Sequence, residues 1–213
     1  MSAYRLTLCE DTLGPGAGYV VGPANRVLWV VAGQISVMAG GRTVVVEAEN
    51  GWHGAGAAEV TAGRSGATVL RWELATPRCP LHGPSRLEHA LDLDPHGAYL
   101  MRADRVEFEP GGVALPHGHR GGGIRRLLAG TLEVTVGEAP PRLMGSGDAW
   151  FESGREPVLA RASATEATAF LRVSVLPREL RGRSSIVYVD PADAARAKPR
   201  RYTVYVDEPI ALS

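Results

Sequence analysis

The sequence predicts an all-β protein made of two small barrels of one design. Three observations carry this. The 213 residues break into short β-branched, alternating segments separated by Gly, Pro, Asp and Asn, the pattern of a sandwich or barrel. Helical periodicity is nearly absent. The chain also repeats itself: VLWVVAGQISV at 27–37 matches IRRLLAGTLEV at 124–134, an offset of 97, which sets Ala32-Gly33 on Ala129-Gly130 and Gly40 on Gly137. Further on, Val69-Leu70-Arg71 matches Phe170-Leu171-Arg172 and Pro77-Arg78 matches Pro177-Arg178, the drift being what loop-length changes produce.

Taken in order, strands are predicted at 27–31, 34–38, 42–47 and 67–74, and again at 105–109, 124–128, 131–136 and 168–176. In each, successive side chains fall on opposite faces. The expected division is a first barrel at 1–80, a Pro- and His-containing linker at 81–96, a second barrel at 97–181 and a tail at 182–213. Helical turns are expected only at 85–90 and at 191–198, where proline opens the turn. The tail holds two further strand-like runs, SSIVYVD and RRYTVYVDEP. It can close a barrel mouth, pair with a second subunit in a homodimer, or form an extra edge hairpin; the sequence leaves all three open.

Composition excludes several classes of function. With 23 basic and 23 acidic residues the formal charge is zero, so there is no electrostatic case for nucleic acid. No run of about 18 apolar residues spans a membrane. The first residues lack a basic region followed by an apolar core, so no signal peptide is expected. Cys9 and Cys79 form no CxxC pair and are read as reduced thiols. A cytoplasmic protein follows. Lys198 is the sole lysine, which points to high-GC coding and a bacterial source, and weakens any inference from a single arginine. Nucleophile-elbow, phosphate-loop and HExxH patterns are missing.

The chemistry concentrates in GGVALPHGHRGGGIRRLLAG, residues 111–130. On a strand, His117 and His119 project side by side, at a separation that suits two imidazoles on one metal ion. The stretch resembles the first motif of the cupin superfamily: Gly, five residues, His-x-His, three or four residues, Glu, six residues, Gly. Gly111, His117, His119 and Gly130 match it; the Glu position falls on Gly123. The second motif matches GDAWFESGREPVLARA, with its His position on Pro157. The resemblance covers most of residues 10–180 as two tandem copies, a bicupin. It implies two antiparallel barrels of the jelly-roll type (the double-stranded β-helix), a ligand pocket at each mouth, and often a single divalent ion such as Mn, Fe, Ni or Zn on three His and one Glu.

Two of those four ligands remain. Glu152, on the same face as Trp150, is the leading candidate for a third, with Glu107 and Glu109 behind it. Arg125 stands two residues after Gly123; it either faces the interior by alternation, gripping a carboxylate or phosphate or pairing with Glu152, or it faces out. Arg125 and Trp150 are thus the candidate ligand-binding residues. The 121–123 glycines either form a bulge or open room for a ligand. In the first copy the metal pattern is lost: its His-x-His positions fall near 20–22, its Glu position on Arg26, and its second-motif His on Glu59, so Arg26 and Glu59 either pair inside the first barrel or both face solvent. His53, His82, His89 and His96 are read as structural or surface residues.

Two classes of function remain. One is a metal-dependent enzyme acting on a small carboxylated metabolite, with dioxygenase, isomerase, decarboxylase and lyase indistinguishable. The other is a metal-free barrel that binds or senses a small molecule. The same fold hosts both.

Overall fold

A computed structural model describes residues 2–196 and 198–212, with side chains described from Tyr4 onward. The chain is all-β and divides into two compact units, Met1–Ala98 with Glu208–Ser213 and Tyr99–Asp207. Among the described residues the helical turns are short 3-10 pieces, and no helix is long and apolar enough to cross a membrane.

In the first unit β1 (Ser2–Leu13), β2 (Gly18–Val21), β3 (Asn25–Ala39), β4 (Arg42–Glu47), β5 (Gly51–Gly54), β6 (Ala58–Ala75) and β7 (Ser85–Leu93) follow one another. They form one antiparallel sheet in the order β4-β3-β6-β1-β7, with β2 on β6 and β5 on β3. β3 and β6 run long because each passes through a glycine and keeps pairing, with register shifts around Ala32 and Gly33. Inside lie Leu28, Val30, Ile35, Val37, Val60 and Val69. Each such fully buried side chain stabilises by roughly 1.5–3 kcal/mol.

In the second unit the same plan is cut into shorter strands: β8 (Tyr99–Phe108), β9 (Val113–His119), β10 (Gly123–Ala129), β11 (Leu132–Val136), β12 (Arg142–Met144), β13 (Ala149–Glu152), β14 (Val158–Ala162), β15 (Thr168–Pro177), β16 (Ile186–Tyr188) and β17 (Arg200–Ile210). They make two five-stranded sheets, β13-β10-β15-β8-β17 and β12-β11-β14-β9-β16. Between them pack Val106, Phe108, Leu127, Leu132, Val134, Trp150, Val158 and Phe170.

The repeat seen in the sequence has a backbone cause. Gly33 and Gly130 both adopt positive φ, 78° and 71°. A Cβ would come within 2.1 Å of the Gly66 carbonyl at the first and 2.5 Å of the Ala167 carbonyl at the second. Both features favour glycine at a bulge between strands.

Two stretches differ from the sequence reading. Residues 85–90 are not helical: they lie in β7, where Leu8↔Leu87 and Tyr4↔Leu91 face each other across the ladder to β1. Pairing and the burial of Leu91 and Leu93 override a local helical preference. The stretch expected as linker, 81–96, therefore contributes a strand to the first sheet. The tail likewise supplies β16, on β9, and β17, on β8, and its helical turn is a 3-10 segment, Pro191–Ala195, capped by the Asp190 side chain.

Candidate functional site

β9 ends on the two histidines, and both rings are buried, His117 at 6% and His119 at 8% exposure. Their i, i+2 spacing puts them on one face, ring centroids 4.9 Å apart and nearly perpendicular. The His117 Nδ1–H donates to the Leu115 carbonyl at 2.7 Å. A carbonyl only accepts, so the Nε2 of a neutral His117 carries a lone pair. His119 Nδ1 lies 3.3 Å from Ser185 Oγ.

The neighbouring sheet supplies the charges. β10 runs between β13 and β15, so Arg125 stands opposite Trp150 on one side and Arg172 on the other. Glu152 and Ser174 flank Gly123 in the same way. A Cβ at Gly123 would meet Ser174 Oγ and the Val173 carbonyl at 2.5 Å, so the close neighbouring strand leaves no room for a side chain there. Glu152, across the strand from it, projects its carboxylate to within 3.5 Å of His119 Nε2. The carboxylate is held twice: Arg125 Nη2 lies 2.6 Å from Oε2 and the Trp150 indole donates to Oε1 at 2.8 Å. Arg172 pairs with Asp104 of β8, its Nε 2.9 Å from Oδ1, and points Nη1 at His119 Nε2 across 3.5 Å.

The sequence-predicted residues thus converge: His117, His119, Arg125, Trp150 and Glu152 line one cavity. Glu107 does not join them; it pairs with Arg105 and Arg201. Three participants were not anticipated: Arg172, Asp104 and Arg200. Arg172 had a signal, since it interrupts the otherwise apolar AFLRVSVL run at the position that matches Arg71 in the first copy. Arg200 comes from β17. Its side chain donates to the hydroxyls of Tyr202 and Tyr188, and Tyr188 in turn packs toward His117, centroids 6.1 Å apart.

Burial sets the protonation of this cluster. Desolvation pulls the His117 pKa below its ordinary value. At His119 desolvation is joined by the cations Arg172 and Arg125, and the value drops well below 6.5. Both rings are therefore neutral at pH 7. Arg125, wholly enclosed, is lowered to about 10 by desolvation, with Glu152 opposing. Burial also works against the charge on Arg172, but the Asp104 carboxylate more than offsets it and the guanidinium pKa is raised.

Does this donor set fit the single divalent ion that the resemblance implies? Neutral imidazoles are competent ligands, and the His pair with Glu152 is the right chemistry. The surroundings are not. His119 Nε2 already faces a guanidinium at 3.5 Å, and the one nearby carboxylate is neutralised by Arg125 at 2.6 Å. Among the described residues no group of three or more His, Cys, Asp or Glu is arranged to hold a metal ion. The residues suit an anion better than a cation.

The first unit fills the same positions with charge pairs, beside a pocket of ≈ 90 Å³ that Arg26 and Glu73 line. Arg26 (1% exposed) pairs with Glu73 at 2.8 Å, and Glu73 also meets Arg71 at 2.8 Å. Arg71 reaches Asp11 at 2.9 Å, whose carboxylate accepts from Tyr19 Oη. The expected partner Glu59 is exposed and takes no part: the register of β3 on β6 puts Glu73 across the ladder from Arg26 and Glu59 across from Met38. Arg26 closes the site by donating to the carbonyls of Gly56 and Gly22. Two cations and two carboxylates balance, and every guanidinium is satisfied by protein. His82 stacks on Tyr19, 4.5 Å between centroids.

No family model and no curated protein matches the sequence. Solved structures do. A deletion mutant of Bacillus subtilis oxalate decarboxylase has a TM-score of 0.65 at 14% identity, covering 91% of this chain and 73% of its own. A Lactobacillus farciminis oxalate decarboxylase in complex with formate gives 0.65 at 14%, covering 91% and 82%. A Bacillus subtilis oxalate decarboxylase described for its Mn(II) centres gives 0.65 at 13%, with 91% and 73% covered. These are cupin-fold proteins, and likeness at this identity establishes the fold alone: an all-β chain of the cupin jelly-roll type.

Proposed function

We propose that the chain is a bicupin whose second barrel binds a small carboxylate without a resident metal, while the first barrel is a structural partner. One observation carries the reading. The cavity beside the His pair is lined by three guanidiniums, Arg125, Arg172 and Arg200. Among the described residues two carboxylates answer them, Glu152 for Arg125 and Asp104 for Arg172. Arg200 meets tyrosine hydroxyls instead. With both histidines neutral the cavity carries one net positive charge, beside apolar walls that strengthen its field. A carboxylate is the complementary guest, and Arg is the side chain that holds one by two hydrogen bonds. The lone pair on His117 Nε2 is free to accept from a hydroxyl on that guest. The cavity is small, ≈ 20 Å³, room for about one water or the head of a carboxylate. The fold neighbours carry oxalate and formate in their names, both small carboxylates, which supports the class and no particular reaction. On this reading the boundaries 1–80 and 97–181 mark the two copies, β7 and the 182–213 strands completing their sheets.

Calorimetric titration tests it. Acetate should bind the parent, acetamide should not, and Arg200→Ala should lose acetate binding with its thermal melting unchanged. Equal binding of the neutral amide, or undiminished acetate binding by Arg200→Ala, would overturn the reading. A second reading, a metal-dependent enzyme, rests on the approach of Glu152 Oε2 to His119 Nε2 at 3.5 Å. It requires Arg125 to release the carboxylate.

A further inference from the structure

The cavity at the His pair lies beside a larger space in the same unit. A groove of ≈ 420 Å³ is lined by Arg102, Asp104, Ser185 and residues of the tail, and it shares Arg172 and Tyr202 with the inner cavity. Those two side chains form the partition between the spaces. Arg172 stands on both sides of it, touching His119 within and pairing with Asp104, which lines the groove. Ser185 links them a second time through its contact with His119 Nδ1.

The groove is cationic beyond its own needs. Arg102 is spent, paired with Asp207 at 2.9 Å and donating to the carbonyls of Leu180 and Arg183. Arg172 is spent on Asp104. Arg183 and Lys198 line the same groove, both exposed, and among the described residues neither has a carboxylate partner. Lys198 rests its ammonium over the Tyr188 ring, 5.5 Å from the centroid, so the tyrosine that reaches toward His117 on one side steadies the lysine on the other. In a chain that otherwise uses arginine for every basic position, the sole lysine sits here.

We propose that the ligand of the second unit is a two-headed anion. One carboxylate enters the inner cavity and takes Arg200. A second anionic group stays in the groove on Lys198 and Arg183, and the connecting chain crosses beside the Arg172–Tyr202 contact, whose two side chains line both spaces. This rests on the carboxylate reading above and adds the outer subsite to it. The volumes require the division: ≈ 20 Å³ inside admits a head only, and ≈ 420 Å³ outside holds the rest. The outer contact is solvent-exposed, so its contribution is that of a surface ion pair, about fivefold in affinity, or about 1 kcal/mol.

The test is calorimetric titration at low salt with acetate, propionate and a series of unbranched α,ω-dicarboxylates of two to six carbons. The parent should bind the longer dicarboxylates about fivefold tighter than propionate, and the two-carbon member no tighter than acetate. The Lys198→Ala/Arg183→Ala double variant, altered only on the surface, should bind acetate as the parent does and lose the preference for long dicarboxylates. If monocarboxylates bind and length and the second charge make no difference, the outer subsite is wrong and the inner one stands. If the double variant keeps the preference, the subsite lies elsewhere and the proposal falls. If no carboxylate binds the parent at all, the carboxylate reading fails and this proposal with it.

Discussion

At the scale of single residues the site is decided by which charges have partners. Glu152 and Arg125 are both almost wholly buried and neutralise each other at 2.6 Å. Removing one partner strands the other in a medium that cannot solvate it. Glu152→Ala should cost about 3–5 kcal/mol of unfolding free energy, while Arg125→Leu with Glu152→Leu should cost far less, because a pair replaced by apolar side chains leaves no buried charge. Urea unfolding of the three proteins checks this; a double variant as unstable as the single one would contradict it. The histidines make a second prediction. His53, His117 and His119 all have folded pKa values below 6.5, so the unfolded chain binds more protons than the folded one once the pH falls below that value. Their contribution is fully present above pH 6.5 and is lost as the pH drops toward the folded values, at up to about 1.4 kcal/mol per pH unit for each ring. Melts from pH 8 to pH 5 should fall on the acid side, and His119→Asn should shallow the slope. Glu152 and Arg125 were legible because strand alternation fixes the face of a residue once the strand is known. Arg200 was not: its place depends on β17 returning to lie beside β8, and no local pattern in RRYTVYVDEP encodes that partner.

At the scale of elements, the glycine that closes each copy of the repeat does the same work twice. Gly33 and Gly130 combine positive φ with a carbonyl oxygen where a Cβ would stand. Gly130→Ala should destabilise by roughly 1–3 kcal/mol, a drop in Tm of several degrees for a chain of this size. Gly14→Ala, with nothing within 4 Å of the added carbon, is the neutral control. Equal melting of the two variants would remove the backbone explanation of the repeat. The strands flanking these glycines were legible because their hydrophobic alternation is strong. β7 was not: SRLEHA reads locally as a helical turn, and only the ladder to β1, with Leu8 opposite Leu87, makes it a strand. The Arg26 pairing failed for a related reason. The family pattern aligned Glu59 with a former ligand, but the residue that faces Arg26 is set by the register of β3 on β6, which gives Glu73.

At the scale of the whole chain, one plan is used twice with different outcomes. In the first copy two cations and two carboxylates balance around Arg71 and Glu73. In the second, Ser174 stands opposite Gly123 on β15 where Glu73 stands opposite Arg26 on β6, the buried pair is Arg125 with Glu152 instead, and the tail adds Arg200. The excess positive charge comes with the tail; a pocket is present in both copies, ≈ 90 Å³ at Arg26 and Glu73 and ≈ 20 Å³ at the His pair. The sequence made the two-barrel plan and the His pair legible; whether the pair meets a cation or an anion was not, because that turns on Arg172 and Arg200, which lie 53 and 81 residues beyond His119. The central claim is that the second barrel recognises a carboxylate through its own cations, with no ion on the histidines. The direct test is calorimetric titration of acetate into protein stripped with chelator, and into the same protein loaded with Mn, Fe, Ni or Zn. Equal binding in the stripped and loaded samples, with neither His117→Ala nor His119→Ala altering metal content, is the predicted result. Acetate binding that appears only with metal, together with metal uptake lost in both histidine variants, would contradict it.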